Sequence, residues 1–187
     1  MSSEAAPGQL EHLREFVNTR DIDLDTDELQ NADALEHWLE ERDLLVAGAR
    51  VGKRELSQAI ELRETLRELL LANNGGELDP ASIEQLNDAV SSATLSVRFD
   101  ADGNPTLAVA GSGTSAVIGP LVAIVYEAMV AGTWSRLKAC PADDCHWAFY
   151  DRSKNHSGTW CSMGVCGNRA KVRAYRERSK GAKSASR

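Results

Sequence analysis

The sequence predicts an α+β protein: a mainly helical N-terminal domain carrying one β-hairpin, then a small C-terminal four-cysteine module that ends in a basic helix. Three observations carry this. Apolar residues recur at spacings of three and four through most of residues 1–139, as in helices with one buried face. The period switches to two in "TLSVRFD" and again at Leu107 and Val109, on either side of the turn sequence "ADGNP". Cys140, Cys145, Cys161 and Cys166 are all the cysteines of the chain, and they lead into a stretch crowded with arginine and lysine.

The first expected helix lies around Leu10–Val17, where Leu10, Leu13 and Val17 share a face. The following "NTRDIDLDTDELQNAD" has too little apolar periodicity for a core element and reads as a loop or frayed turn. Leu35, Trp38, Leu39, Arg42 and Leu45 then line one helical face. Leu56, Ala59, Ile60, Leu66, Leu69 and Leu70 mark a longer helix. "NNGG" at 73–76 stops it, because glycine adopts the left-handed capping conformation without strain. In "DPASIEQLNDAV", Asp79 can accept hydrogen bonds from the first free backbone N–H groups. Pro80 suits the first helical position, where its missing N–H costs nothing. A two-stranded hairpin is marginal alone, so the apolar face at Leu95, Val97 and Phe99 needs a helix over it. Ile118, Leu121, Val122, Val125 and Met129 mark the most apolar helix, expected at the centre of the fold and running directly into Cys140. The expected division is 1–139, 140–180 and a small, basic, disordered tail at 181–187.

Hydrophobic content of 42% with 26% charged residues suits a soluble globular chain. No N-terminal segment joins a basic start to an apolar core, so no secretion signal is expected. The longest apolar stretch, "AVIGPLVAIVYEAMVAG" at 116–132, contains Pro120 and Glu127 and is about one turn short of a membrane span. A cytoplasmic protein with no membrane partner is the expectation. The net charge of −7 hides an asymmetry: residues 140–187 hold ten Lys/Arg against four Asp/Glu, a balance of +6, which leaves −13 on residues 1–139. Such a division suits a basic module on an acidic body.

The two cysteine pairs, Cys140-x4-Cys145 and Cys161-x4-Cys166, flank a loop of fifteen residues. That form matches a four-thiolate zinc site, in which each pair supplies one edge of a tetrahedron and the loop brings the edges together. A closed site of this kind leaves no position for water, so one Zn2+ there is structural and not catalytic. Its binding energy, about 10–16 kcal/mol in peptides, can fold a module that has almost no core. Three rivals stand beside it: disulfides, disfavoured without a secretion signal; a redox switch; and replacement of one thiolate by His146 or His156. Trp147, Phe149 and Trp160 are expected to form a miniature core over the metal, with base stacking as the alternative.

At 100° per residue, Val165, Val172 and Tyr175 fall within an arc of about 80°, a seam that would dock the final helix. Arg169, Arg173, Arg176 and Lys180 fall within an adjacent arc of about 60°, while Lys171 and Arg178 share another side. Close like charges repel one another in the free protein, and a polyanion relieves this while releasing counterions. With Arg152 and Lys154 in the preceding loop, these are the candidate nucleic-acid contacts. The plain alternative is a solvated basic face, or one docked on the chain's own acidic body.

"CPADDCHWAFYDRSKNHSG" followed by "WCSMGVCGNRAKVRAYRER" closely resembles the CGNR-type zinc finger, named for the run Cys166, Gly167, Asn168 and Arg169. The match covers about forty residues: the four cysteines, the stretch Tyr150–Ser153 and the helix appear in order. In that family the finger follows an acidic domain called ABATE, near whose start stands a motif like "FVNTRD", here Phe16–Asp21. The chain departs from the pattern before the Trp-Cys pair, with Gly158 and Thr159 where many relatives carry arginines. The resemblance implies a stress-induced bacterial transcription regulator whose finger binds DNA. A sensor role for the N-terminal domain would give Asn18 and Arg20 to a small-molecule effector, whereas Asn18 and Thr19 can also simply terminate the first helix.

The expected function is therefore a zinc-dependent DNA-binding regulator and not an enzyme. RNA binding through the same finger and a zinc-stabilised protein-interaction module are the alternatives. Asn155–His156 lacks a second histidine at a useful downstream spacing for a hydrolytic metal. "GSGTS" lacks the lysine and the spacing of a phosphate-binding loop.

Overall fold

The computed structural model describes residues 5–184 and is mainly helical. Helix α1 (Leu10–Asn18) buries Leu10, Leu13 and Val17, the face expected from their spacing, and Phe16 with them. A two-residue ladder follows, β1 (Arg20–Asp21) against β2 (Thr26–Asp27), inside the stretch expected to be irregular. A buried arginine holds it. Arg63 grips the Asp27 carboxylate through two hydrogen bonds of 2.8 Å, a contact to which local periodicity is blind.

Helix α2 (Ala32–Glu40) starts at Asn31, whose side chain accepts from the Ala34 N–H. It ends sooner than the apolar spacing suggests. Asp43 enters the left-handed region at φ 53°, and the Leu44 N–H reaches back to the Leu39 carbonyl, so Arg42 and Leu45 lie beyond the helix. Helix α3 (Lys53–Asn73) buries Leu62, Leu66, Leu69 and Leu70. Gly75, at φ 91°, and Gly76 stop it, with the Gly76 N–H on the Leu71 carbonyl. Helix α4 (Pro80–Ser92) opens as its sequence predicts, Asp79 accepting from the Ala81 N–H.

Strands β3 (Thr94–Phe99) and β4 (Pro105–Ala110) form the hairpin, in register from Thr94 with Ala110 to Phe99 with Pro105. Its base packs on helix α5 (Thr114–Val130), where Gly119 sits so close to Val109 that an added Cβ would lie 2.6 Å from its Cγ1. Cover stops at that base: Val97 and Phe99 are 62% and 71% exposed. Helix α5 is buried on almost every side between α1, α3 and α4, as expected of a central helix. Pro120 inside it cannot donate to the Ala116 carbonyl, and the Val46 N–H from the α2–α3 loop reaches that acceptor at 3.5 Å.

Helix α5 does not run into Cys140. It stops at Val130, turns at Gly132 (φ 71°), makes one 3-10 turn at Trp134–Arg136 and enters strand β5 (Leu137–Ala139). Strand β5 pairs antiparallel with β6 (Ala148–Tyr150), and Leu137, Ala139 and Ala148 are buried in the main core. A π-turn at Met163–Gly167 leads into helix α6 (Asn168–Ser184). This helix enters the stretch 181–187 that was expected to be disordered, since alanine and lysine favour helix and no proline stops it. Residues 185–187 of that stretch lie outside the described residues. No helix among the described residues is long and apolar enough to cross a membrane.

Candidate metal centre and basic helix

The sulfurs of Cys140, Cys145, Cys161 and Cys166 all lie within 4.8 Å of one another. Cys145 is 3.6 Å from Cys161, and Cys161 is 3.7 Å from Cys166, far beyond a disulfide bond of about 2.05 Å. These separations instead match the edge of a tetrahedron with metal–sulfur bonds of about 2.3 Å, which is roughly 3.8 Å. Neither His146 nor His156 joins the cluster. Crowding divides the thiols chemically. Cys145 and then Cys161 hydrogen-bond to Cys140 and pull it down to about 2, while proximity to Cys140 pushes Cys145 up to about 12. A dication would relieve that conflict by bonding all four sulfurs as thiolates, the thiol protons leaving and its two positive charges offsetting half of the four negative ones. The donor set fits one structural Zn2+. Trp147, Trp160 and Val165 pack around the cysteines as a small core; Phe149 is buried outside that cluster.

The four-cysteine module is fastened to the helical body through backbone acceptors. Asn18, a residue expected to face an effector, instead gives both ends of its amide to strand β6. Its Nδ2 donates to the Ala148 carbonyl at 2.9 Å, and its Oδ1 accepts from the Ala148 N–H at 2.7 Å. Arg20, the other such residue, pairs with the exposed Asp25. Thr19 donates to the Phe16 carbonyl, terminating α1. Arg67 is 2% exposed and donates to the carbonyls of Val17 and His146. Asn73 donates to the carbonyls of Trp134 and Leu137, and Asn74 to those of Ala139 and Thr159. The sequence marked these two asparagines only as a helix stop. Their partners are 61 to 85 positions away, so no local pattern could reveal them.

A buried ion pair holds the loop between the cysteine pairs. Lys138 Nζ lies 2.7 Å from Asp151 Oδ2 and donates also to the His156 and Gly158 carbonyls. Burial alone would raise the Asp151 carboxyl, but Lys138 and the side chain and N–H of Ser153 outweigh it and hold it at about 2; the Gly158 N–H also donates to Asp151 Oδ2. Gly158 is needed there, because a Cβ would fall 2.7 Å from Asp151 Oδ1.

Lys171, Arg173, Arg176 and Arg178 are exposed along α6; the side chain of Lys180 lies outside the described residues. Arg169 Nη1 is 3.1 Å from Asp144 and 3.6 Å from Asp23, and Arg173 Nη1 is 3.7 Å from Asp143. Arg152 donates to the Ala5 carbonyl and lies over the Tyr150 ring, and Lys154 is exposed nearby in sequence. The expected docking seam is broken. A π-turn advances less per residue than an α-helix, so the register assumed from 165 onward fails at Cys166–Asn168. Val165 reaches the cysteine cluster, while Val172 and Tyr175 are 48% and 66% exposed. A concavity of about 710 Å3 follows this side of the helix, lined by Val165, Arg169, Val172, Arg173 and Arg176. A second cavity of about 440 Å3, between α3 and α4, is lined by Glu61, Glu64, Glu68 and Asp88 with Leu62 and Ile118.

Comparison with known families closes on the same two parts. The family model of the CGNR zinc finger matches residues 136–179. A second, ABATE, described as "Putative stress-induced transcription regulator", matches residues 13–132, well over half the chain. This is an ABATE-family protein with a CGNR finger. Neither family is of an enzymatic type. No curated protein matches the chain.

Each residue of the CGNR run has its own structural task. Cys166 is a metal ligand. Gly167 leaves room for Met163 and Trp160, since a Cβ there would sit 2.6 Å from the Met163 sulfur. Asn168 donates to the Gly164 carbonyl and braces the change from π-turn to α-helix. Arg169 ties the helix to Asp144 of the finger and to Asp23 of the ABATE domain.

Proposed function

We propose that this ABATE-family protein binds duplex DNA through α6 and acts as a transcription regulator in the cytoplasm. The observation that carries the reading is the exposure of Lys171 and Arg178 on one side, and of Arg176 on another, of a helix whose start is fixed by the zinc ligand Cys166. Arg152 and Lys154 add basic charge ahead of the second cysteine pair. The helical domain is the sensing part of this reading, and the cavity between α3 and α4 gives it room for a small effector. Fluorescence anisotropy with a labelled random-sequence duplex, over a range of salt, tests the reading. With about five phosphate contacts, log affinity falls against log salt with a slope near −4.5. Arg176→Ala with Arg178→Ala flattens that slope by about 2 and weakens binding. Tighter binding of an RNA hairpin than of the duplex would transfer the reading to RNA. A second reading, a protein-interaction module, draws on the exposure of Val172 and Tyr175. It gains if no nucleic acid binds even at low salt.

A further inference from the structure

Three carboxylates stand where a polyanion would approach the first turns of α6. Asp143 and Asp144 lie between the first two cysteines, and Asp23 lies in the β1–β2 turn of the helical domain. Between them they contact Arg169 and Arg173, whose side chains are 44% and 61% exposed. The charge of Asp23, with that of Asp144, which accepts a hydrogen bond from Arg169 at 3.1 Å, holds the Arg169 guanidinium above its ordinary range, and an arginine is a cation in any case.

Resting on the DNA reading above, we infer that Asp23, Asp143 and Asp144 act as an intramolecular stand-in for phosphate, occupying Arg169 and Arg173 in the free protein. A phosphate oxygen and a carboxylate oxygen offer guanidinium the same charge-assisted acceptor, so the two compete for one site. Docking on DNA then requires these arginines to leave their carboxylates, and the carboxylates left behind repel the phosphates. Any duplex sequence meets that opposition, so the device suppresses indiscriminate binding. The helical domain controls part of it. Asp23 is presented by a turn whose β2 side is pinned by Arg63 on Asp27 and whose β1 side meets Arg67 through the Arg20 carbonyl. Arg63 and Arg67 both bind Glu64, which lines the 440 Å3 cavity. Displacement of the turn would free Arg169 from Asp23 without altering the finger.

The test uses the full zinc-loaded chain and a random-sequence duplex at 50 mM and 200 mM salt. Asp23→Asn with Asp144→Asn, isosteric changes at exposed positions, is expected to bind on the order of three- to tenfold tighter at the lower salt. The gain shrinks at the higher salt, where exposed charges are screened. Glu84→Gln on α4 with Asp102→Asn in the β3–β4 turn, both exposed and neither lining the cavity between α3 and α4, makes the same change in net charge and is expected to leave affinity within about twofold. Adding Arg169→Ala to the Asp23/Asp144 double variant abolishes the gain. Equal affinity for the double variant and the native chain, with Arg176→Ala and Arg178→Ala still weakening binding, overturns the inference and leaves the DNA reading standing. An equal gain from the Glu84/Asp102 pair also overturns it, since net charge alone would then account for the effect. Absence of duplex binding by every variant at 50 mM salt removes the DNA reading and this inference with it.

Discussion

Lys138 and Asp151 bury opposite charges side by side, at 5% and 3% exposure. Removing one partner strands the other, so Lys138→Met is expected to cost about 3–5 kcal/mol by chemical denaturation at pH 7. Lys138→Met with Asp151→Leu should recover only part of that loss: no buried charge remains, but the Ser153 and Gly158 N–H groups lose their acceptor and the His156 and Gly158 carbonyls their donor. The pH dependence has a definite sign. The Asp151 carboxyl is depressed to about 2, so its stabilisation is complete above its unfolded value near 4 and is lost as pH falls towards 2. The stability gap between the native chain and Asp151→Asn should thus stay flat from pH 8 to 5; a gap that closes within that interval contradicts the assignment. None of this was legible beforehand. The sequence shows Lys138 and Asp151 as ordinary charged residues thirteen positions apart, and only the pairing of β5 with β6 brings them together. The cysteines were legible because zinc demands a fixed donor type at short spacing, and that demand is written locally.

At the scale of elements, helices announced themselves wherever one face is buried, while their ends and lateral contacts did not. Helix α2 stops where Asp43 turns left-handed, a choice made by the loop and not by the apolar stripe. The β5–β6 pair shows the larger gap: alternation at Trp147 and Phe149 marks a short strand near the cysteines, but nothing local names β5 as its partner, and this pair joins finger to body. Asn18 satisfies both backbone groups of Ala148, so Asn18→Ala leaves a buried donor and acceptor without partners. The expected cost is about 2–4 kcal/mol, measured by urea unfolding of the zinc-loaded protein. A fragment of residues 136–187 would expose Leu137, Ala139 and Ala148 and lack the side chains of Asn18, Arg67, Asn73 and Asn74. It should bind zinc yet give broad, poorly dispersed amide spectra in the 137–150 region. Sharp spectra matching those of the whole chain would show the clamps to be dispensable.

For the whole molecule, finger and helical domain share one core, so metal removal should be felt throughout. Zinc held at about a thousand times its dissociation constant contributes about 4 kcal/mol, worth roughly 10 °C in a chain of this length. Calorimetry should therefore give one transition that falls by about that amount on chelation; two transitions, of which only one moves, would contradict a shared core. The asymmetry of charge was legible as a balance of +6 on residues 140–187, which already counts Asp143 and Asp144, and docking on the acidic body stood as an alternative; the contact of Asp23 with Arg169 was not legible, because the two are distant in sequence. Helix α6 adds a mechanical consequence. Its seventeen residues reach about 26 Å, and its start is braced by the π-turn and Arg169. A rod fixed at one end magnifies rotation at its root: tilting it by about 10° there sweeps the far end through roughly 4 Å, close to the 3.4 Å rise of one base pair. Under the DNA reading proposed above, slight yielding at Gly167–Asn168 would be geared into a whole step along a groove.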